Sequence, residues 1–494
     1  MKLHYLLAIP LLSCSLLQAE EITKGSLRTS FESVTISPTE EMGLFGVSYL
    51  FEPNKNFYYG TTVYGTLTGE RGGFFVGGLN GGAKYALYKN LYLDGGVFVG
   101  GGGGGSAPQG GGLMLKAYGG LLYEFSQGYS LGVDYSYVTF PNGGIDSKQL
   151  AFVADAKFET LFLHSNLDKG LLKKFSFENK QDYLTATLQL YVPNNGTKKR
   201  SGAPLVENIQ LLGIEYGMNI SKSVVAYIES AGALGGDSTG YMEVLGGVGY
   251  SHELLRDLNF DAKFSLGSAG GGEVDTGGGA VTKASLGLHY DVSDSFRVAT
   301  DAGVYHAFEG GFDASFLKAE LGINTHFLSL STKSSNNYSF ESLGTQKFHI
   351  RLVNQTYFYD ETLRAESNGE NVDLLGAKLD WFMSENFYVS GQGFAAYRGG
   401  AGGYATGTFG CGYILPLVYD VSLVFEVDAG AAGGGGLQTG SGAIVQGYGG
   451  IMYALNRDFS LELLYGKTEA IDGPLDVKTL ELTLVYRFDK LVLK

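Results

Sequence analysis

The sequence predicts an all-β protein, a transmembrane antiparallel up-and-down β-barrel of about 24 strands in three repeats of eight. Three observations lead to this fold class. The composition favours strands over helices, three segments of the chain share one register, and the connections between strand-like segments alternate between short and long. Closure of the repeats as three tandem small barrels is favoured, and one large barrel is the alternative.

The composition is rich in glycine and aromatic residues. The 494 residues include 77 Gly, 33 Tyr and 31 Phe but only 9 Pro, and charged residues make up 17% of the chain. Aromatic and β-branched residues punctuated by glycine are typical of strands and turns. No run approaches the roughly 18 consecutive apolar residues of a membrane-spanning helix. A chain of this kind can therefore cross a membrane only as a closed barrel, in which every backbone group is paired.

The net charge of −15 argues against nucleic acid as a partner, because affinity for phosphate backbones comes from clustered Lys and Arg. The one basic cluster, at 198–200, falls in a polar stretch. It is interpreted as part of a solvated loop.

Residues 1–19 have the pattern of a secretory signal peptide. Lys2 precedes an apolar stretch at 6–17, and the small residue Ala19 stands before Glu20, where cleavage is expected. Export through such a signal is the first indication of an envelope protein.

The two cysteines allow an alternative reading of the N-terminus. Cys14 follows Leu-Leu-Ser, as in a lipoprotein cleavage box, but the apolar run continues past it, which favours ordinary cleavage after Ala19. Cleavage there leaves Cys411 alone, so no intramolecular disulfide is expected in the mature chain. Stability must come from the sheet.

Three segments of the chain can be superimposed at offsets of 167 and then 163 residues. Four independent landmarks share these offsets, which indicates triplication of one unit. The landmarks are Gly46, Gly213 and Gly376; Gly110, Gly277 and Gly440; Asn90, Asp257 and Asp420; and Tyr129, Phe296 and Phe459. The predicted division is a signal peptide at 1–19, unit 1 at 20–163, a linker plus unit 2 at 164–331, and a linker plus unit 3 at 332–494.

Each unit is predicted to hold eight strands of roughly ten to sixteen residues, a length that suits tilted transmembrane strands. In the seventh strand, apolar Leu131, Val133 and Tyr135 alternate with Ser130 and Asp134. The strands of unit 1 are placed at 25–37, 42–51, 56–67, 72–87, 90–101, 110–125, 129–140 and 147–163.

The connections alternate in length along the chain. Tight turns at 53–55, 88–90 and 126–128 alternate with longer loops such as 101–111 and 141–146. Short turns at one end of the barrel and longer loops at the other are typical of outer-membrane barrels. Aromatic residues follow several tight turns directly, which suits a girdle at the membrane interface. These aromatic residues are Phe57, Tyr58, Tyr59, Tyr129, Phe296, Phe387, Tyr388 and Phe459.

In this architecture the chain resembles the outer-membrane β-barrel superfamily, and each unit resembles the small eight-stranded barrels of the opacity and OmpA types. The C-terminal stretch 480–488 is similar to the aromatic-ended segment by which such proteins are recognised for insertion, although 489–494 follow it here. The resemblance implies a protein of the Gram-negative cell outer membrane. Its partners would be membrane lipid and the outer-membrane insertion machinery, and any surface partner is unknown.

Closure as three barrels is favoured by two features. The segments that join the units, at 164–182 and 332–346, are longer than the other connections on their side and are interpreted as linkers. The presumed inward faces place large residues beside small ones, as in Tyr58, Gly60 and Tyr64, which is how a narrow barrel fills its interior. A single barrel of about 24 strands would need a plug, and no plug domain is visible.

No motif supports an enzyme. His289 and His306 fall on adjacent predicted strands of unit 2, but they lack the spacing of metal ligands, and no nucleophile elbow is present. No catalytic residue, metal site or cofactor is therefore predicted. The glycine run at 100–105 lacks the strand-to-helix context of a phosphate loop and is interpreted as a flexible hairpin tip.

Charged residues at inward positions are the candidate site. Asp94 and Asp261 occupy equivalent places in two units, as do Asp134 and Asp301. A structural polar core, in which these carboxylates pair with lysines, is favoured over a cation-preferring path, because an unpaired buried carboxylate is costly. The candidate lysines are Lys84, Lys116 and Lys157.

The sequence therefore predicts a non-enzymatic outer-membrane barrel with a structural or adhesive surface role. The alternative is a porin-like passive diffusion channel with cation preference.

Overall fold

The computed structural model describes residues 22–161, 177–236, 238–330, 343–365 and 369–493. The signal peptide predicted at 1–19 lies outside the described residues, as do residues 164–176 and 332–342 of the two predicted linkers. The described chain folds into 24 antiparallel strands.

The strands of the three units follow the repeat register. The first eight are β1 Ile22–Ser37, β2 Glu40–Glu52, β3 Phe57–Thr68, β4 Phe75–Tyr88, β5 Leu91–Gly103, β6 Met114–Ser126, β7 Tyr129–Thr139 and β8 Asp146–Leu161. The next eight are β9 Phe177–Pro193, β10 Ile209–Asn219, β11 Val224–Gly235, β12 Met242–Leu255, β13 Leu258–Gly270, β14 Ala280–Ser293, β15 Phe296–Ala307 and β16 Asp313–Leu330. The last eight are β17 Leu343–Tyr357, β18 Val372–Phe382, β19 Phe387–Arg398, β20 Ala405–Pro416, β21 Val421–Gly433, β22 Ala443–Ala454, β23 Phe459–Ala470 and β24 Asp476–Leu493.

Each group of eight strands closes on itself. The first strand of each group pairs antiparallel with the eighth, so that β1 pairs with β8, β9 with β16 and β17 with β24. Among the described residues, one strand pairing joins two groups, at Phe327 of β16 and Val492 of β24. The prediction of about 24 strands in three units, closed as three small barrels, is confirmed. We call them barrel 1, barrel 2 and barrel 3.

The last strand is longer than the sequence pattern suggested. β24 runs past Phe488 to Leu493, and the added residues pair with the start of β17. Residues 489–493 therefore belong to the wall of barrel 3.

The strands alternate between an apolar exterior and a polar interior. On β7, Leu131 and Tyr135 are each 57% exposed on the outside, whereas Ser130, Asp134 and Ser136 are buried inside. The same alternation holds for Phe152 on β8, which is 66% exposed. A water-soluble protein rarely exposes so continuous an apolar surface, so this exterior is suited to lipid.

Aromatic side chains gather at the tight-turn end, where β2 joins β3, β4 joins β5 and β6 joins β7. Phe57, Tyr59, Tyr129, Phe296 and Phe387 all point outward and are exposed, as expected for rings at a membrane interface. Tyr58 and Tyr388, adjacent to two of them in sequence, point inward and are buried.

The opposite end of each barrel, the loop end, is packed with apolar side chains. In barrel 1, Phe74 from the β3–β4 loop packs edge to face on Phe140, and both belong to one buried cluster with Phe98. Barrels 2 and 3 have corresponding clusters that contain Tyr241 and Tyr404 at the place of Phe74. Each interior is therefore closed by side chains at its loop end.

The three barrels contact one another in a ring. β3 of barrel 1 touches β13 and β14 of barrel 2, β11 of barrel 2 touches β21 and β22 of barrel 3, and β19 of barrel 3 touches β4 and β5 of barrel 1. Each of these contacts joins the third strand of one barrel to neighbouring strands of the next, which gives the chain approximate threefold symmetry. Further contacts join β16 to β8 and β24, and β18 to β4 and β5.

Small residues allow these contacts. Ideal Cβ positions at Gly65 and Gly232 would lie 3.0 Å and 3.4 Å from the Cβ atoms of Ser268 and Ala431 in the next barrel. At the third interface, a Cβ on Gly101 would lie 2.9 Å from the carbonyl oxygen of Ala395. The three pairs occupy equivalent positions at the offsets of 167 and 163 residues, so the same kind of contact recurs at all three interfaces.

The glycine loops are part of these interfaces. Gly73, Gly240 and Gly403 have φ angles of 84°, 87° and 88°, a left-handed conformation that favours glycine. A Cβ on Gly73 would lie 2.3 Å from the amide nitrogen of Gly271, and Gly240 and Gly403 approach Gly434 and Gly104 in the same way.

Interpretation of the 100–105 run as a flexible hairpin tip is therefore wrong. Gly104 and Gly105 pack under backbone of neighbouring loops, and Gly403 donates its N–H to the carbonyl of Gly102 at 3.3 Å. Glycine is needed there because two backbones approach too closely for any side chain.

A disulfide between barrels 2 and 3 tests this arrangement. In a Cys411→Ser background, we expect Gly232→Cys with Ala431→Cys to oxidise readily, because a Cβ separation of 3.4 Å is close to the roughly 3.5–4.5 Å of natural disulfides. The linked chain would run faster on non-reducing gels, and mass spectrometry would identify the joined peptides.

The matched control pairs Ala431→Cys with Gly246→Cys, a strand glycine whose Cβ would have no heavy atom within 4 Å. Equal oxidation of both pairs would contradict the ring of barrels.

Candidate functional site in the barrel interiors

Barrel 1 holds a buried arginine at its centre. Arg28 on β1 forms ion pairs with Asp94 on β5 at 2.8 Å and Asp155 on β8 at 3.2 Å. Its guanidinium also donates to the Tyr58 hydroxyl at 3.3 Å. All four side chains are buried. Arg28 thus links strands on opposite sides of the barrel.

Two lysines extend this network. Lys116 on β6 binds Glu32 on β1, and Gln149 donates to the same carboxylate at 2.8 Å. Lys84 on β4 binds Glu52 at 2.6 Å. A buried charge is tolerated only when it is paired and hydrogen-bonded, and these groups meet that requirement.

The predicted residues of barrel 1 fall in two environments. Asp94, Asp134, Lys84 and Lys116 lie inside the barrel and are buried. Lys157 lies at the rim of the tight-turn end, where it binds Glu124 at 2.6 Å with 38% of its side chain exposed. Lys157 is therefore not part of the central network.

Barrel 2 has a different network built on lysines. Lys263 and Lys318 both bind Glu215 and Glu320 at distances of 2.6–3.0 Å. Asp301, one of the predicted aspartates, lies 3.1 Å from each of the two ammonium groups.

A third lysine continues the network toward the loop end. Lys283 binds Glu229 and Glu243, and its ammonium also donates to the side-chain carbonyl of Gln189 at 2.7 Å. The Glu243 carboxylate in turn accepts hydrogen bonds from Tyr191 at 2.8 Å and from Tyr241 at 3.1 Å. Polar and aromatic side chains therefore fill the interior of barrel 2 together on the side of its loop end.

The two histidines of unit 2 lie far apart. Asp261 pairs with His289 at 2.5 Å inside the barrel near the tight-turn end. His306 pairs with Asp313 at 2.6 Å at the exposed loop end. The strand register places His289 opposite Ala299 and His306 opposite Thr282, so the two rings do not form one site.

Barrel 3 again centres on an arginine. Arg351 binds Asp380 at 2.7 Å and Glu462 at 3.1 Å, and it also binds Glu426. Lys378 lies 2.6 Å from Glu426 and 2.7 Å from Glu481.

The strand register shows how the three interiors differ. Arg28 opposes Ser48 and Arg351 opposes Lys378, which are equivalent positions, so the two arginines occupy one place in the fold. Barrel 2 has Thr185 there and obtains its positive charge from lysines on other strands. The three barrels share one backbone arrangement but differ in their internal ion pairs.

One lysine position is lost in barrel 3. Lys116 of barrel 1 and Lys283 of barrel 2 correspond to Gln446 in barrel 3. Gln446 lies directly opposite Asp428, and neither carboxylate oxygen of Asp428 has a hydrogen-bond partner within the described part of the chain. The buried side-chain oxygen and nitrogen of Gln392 and the hydroxyl of Thr408 are also unpaired within that part. Barrel 3 therefore has a local shortage of positive charge.

Sequence reasoning identified some of these residues and missed others. The inward aspartates were recognised, but Arg28, the principal partner of Asp94, was not, although it lies between inward Ser26 and Ser30 on an alternating strand. Spacing could have shown that Arg28 points inward. Spacing could not have shown that the carboxylate of Asp94, 66 positions away in sequence, lies within hydrogen-bond distance of Arg28.

The described residues include no group of three or more His, Cys, Asp and Glu side chains arranged to hold a metal ion. Within the same residues no helix is long and apolar enough to cross a membrane. Cys411 is a free thiol on an exposed position. The charged side chains inside the three barrels are held mainly by ion pairs with one another.

Removal of the central arginine tests the network. We expect Arg28→Met to lower the free energy of unfolding by about 3–5 kcal/mol, because it leaves Asp94 and Asp155 buried without their partner. Urea unfolding of the protein refolded into lipid vesicles would measure the loss.

Lys157→Met is the matched control, since it removes a lysine ion pair at the exposed rim, and we expect a change below about 1 kcal/mol. Equal losses in the two variants would mean that the Arg28 network does not stabilise the barrel.

Restoring the missing lysine tests the charge shortage of barrel 3. We expect Gln446→Lys to raise the free energy of unfolding by on the order of 1 kcal/mol, because the ammonium would lie opposite the unpaired Asp428 carboxylate. Gln446→Met, of similar length and without charge, is the control in the same urea titration. A destabilising Gln446→Lys would show that Asp428 needs no cation.

Comparison with known proteins gives no relative by sequence. No protein-family model matches the chain, and no curated protein matches its sequence. Over 95% of its length the structure aligns with the ferric enterobactin receptor PfeA of Pseudomonas aeruginosa, at TM-score 0.30 and 11% identity across 82% of that receptor. It also aligns over 95% of its length with OccK11 (OpdR) of Pseudomonas aeruginosa, at TM-score 0.22 and 12% identity across 97% of that protein.

These identities and TM-scores are too low to transfer any property of those proteins to this chain. Three features of its own geometry suit a membrane-spanning barrel. Closed sheets leave no unpaired edge, the exteriors are apolar, and one end carries tight turns with an aromatic girdle. The chain is an all-β protein of three closed eight-stranded barrels whose apolar exteriors suit lipid.

Proposed function

We propose that this protein is a non-conducting outer-membrane protein with a structural or adhesive surface role. The observation that carries the proposal is the filling of the barrels. Side chains that would line an aqueous channel are buried instead: Arg28 is 4% exposed, Lys116 5% and Arg351 1%. Water does not reach these groups, so a hydrated ion would have no path past them.

Two successive layers fill each barrel. The middle is occupied by the buried ion pairs, and the loop end is occupied by apolar clusters around Phe74, Tyr241 and Tyr404. An eight-stranded barrel has an interior just wide enough for its own side chains. Closure into three small barrels therefore favours this role over the cation-preferring channel.

Three of the four carboxylates that suggested cation preference, those of Asp94, Asp261 and Asp301, hold ion pairs. Asp94 is bound by Arg28 and Asp301 by two lysines. A permeating cation would have to displace a buried ion pair, which is costly. These aspartates support the structural reading.

A surface role is supported by the connections at the loop end. The β1–β2 connection contains only Pro38 and Thr39, whereas the equivalent connection in barrel 2 spans residues 194–208. Within the longer loop Lys198 and Pro204 form an isolated bridge, and Val206 is 81% exposed. This loop and the described part of its counterpart between β17 and β18 offer surface that barrel 1 lacks. Membrane lipid and the insertion machinery complete the proposed partners.

Planar bilayer recording tests the proposal. We expect the purified full chain to give no stepwise conductance after insertion, because the ion-pair layer and the apolar layer block each barrel. The same preparation should show heat-modifiable mobility on gels, which confirms that the barrels are folded. Stepwise, cation-preferring conductance from the folded protein would overturn the proposal in favour of the porin-like alternative.

A further inference from the structure

Barrel 2 contains a polar pocket. The pocket lies inside the tight-turn end, has a volume of about 130 Å³, and is lined by Tyr183, Asn259, Asp261, His289 and Arg297 among others. Its lining comes from strand ends next to the short turns. In barrels of this kind that end faces the periplasm.

Arg297 on β15 is the unusual group in this pocket. Its side chain stacks on the Tyr183 ring, with Cζ 4.0 Å from the ring centroid, and the residue is only 5% exposed. Its Nε has no hydrogen-bond partner among the described residues. No carboxylate of the described chain forms an ion pair with it within 4.0 Å. A buried guanidinium in that state is strongly unfavourable unless a ligand compensates it.

The acidic groups of the pocket already have partners. Asp261 is paired with His289 at 2.5 Å, and Asp291 accepts a hydrogen bond from Asn324 at 2.7 Å. Asp291 lies directly opposite Arg297 in the register of β14 and β15, but it forms no ion pair with it within 4.0 Å. The guanidinium therefore remains available to the pocket.

The repeat register shows that the fold does not require this arrangement. Arg297 corresponds to Ser130 in barrel 1 and Ser460 in barrel 3, both buried. His289 corresponds to Leu122 and Met452, which are also buried. Two barrels of the same chain thus close with small and apolar residues at the places where barrel 2 has an arginine and a histidine.

We propose that this pocket binds a small anion that carries a carboxylate or a phosphate group, with Arg297 as its principal ligand. The planar guanidinium suits two parallel hydrogen bonds to either group. The Tyr183 ring holds the guanidinium in place, and Asn259 and His289 add polar groups around the anion. The ligand enters from the tight-turn side, since the loop end of barrel 2 is closed by its apolar cluster.

Isothermal titration of the full chain in detergent micelles tests the proposal. The probes are succinate and inorganic phosphate, titrated separately, so that the two anion chemistries are distinguished. We expect one of them to bind with one site per chain. Arg297→Ser, which introduces the residue of barrels 1 and 3, should weaken that binding by at least about thirtyfold, because it removes a charged hydrogen-bonding partner from a buried site.

Arg256→Ser is the matched control. Arg256 lies in a turn at the same end of the same barrel, its side chain is 95% exposed, and its loss removes the same charge without touching the pocket. Binding should be unchanged in this variant, and heat-modifiable mobility should show that both variants are folded. Absence of binding by both probes, or equal binding by Arg297→Ser and the unmodified chain, would overturn the proposal.

Discussion

The rest of the structure depends on one constraint, the pairing of every backbone amide and carbonyl in a segment surrounded by lipid. An open sheet edge in the hydrocarbon region would leave a row of unpaired groups, each costing several kcal/mol. The first strand of each unit meets this constraint by pairing with the eighth, as β1 does with β8 along eleven consecutive residue pairs from Ile22 to Glu32. Closure at eight strands then fixes the width of the interior.

A narrow interior determines what the inward residues must be. Small and large side chains alternate around it, and the charged ones meet across it, because the opposite wall is within reach of a long side chain. Arg28 contacts carboxylates on β5 and β8. Replacement of such a network by well-packed apolar residues is often neutral or stabilising in other proteins. The three barrels of this chain contain three different ion-pair networks, so more than one set of charged side chains can fill the interior of an eight-stranded barrel.

The second constraint is the contact between barrels. Backbones of neighbouring barrels approach closely at Gly73, Gly240 and Gly403, and small residues recur along the facing strands. Because these positions are equivalent in the three units, the three interfaces match one another and complete a ring. The glycine content of the loops is explained by this packing, which places three barrels side by side in one chain.

The sequence by itself determined the strands, their number and the triplicate register. Observed strand bounds in unit 1 differ by only a few residues from those expected, because alternation and turn residues are local properties that a strand carries along its own length. The inward position of Asp94, Asp134, Asp261 and Asp301 followed from the same alternation.

Only the tertiary structure decided which strands close, which charges pair and what the glycine loops do. Each of these depends on residues far apart in the chain, such as Arg28 with Asp155, or Gly73 with Gly271. Alternation gives the face of a side chain but not its neighbour across the barrel. For the same reason Lys157 was placed in the lumen and the buried Arg297 was overlooked, since height along the barrel axis and the distance to the nearest carboxylate become defined only when the sheet has closed.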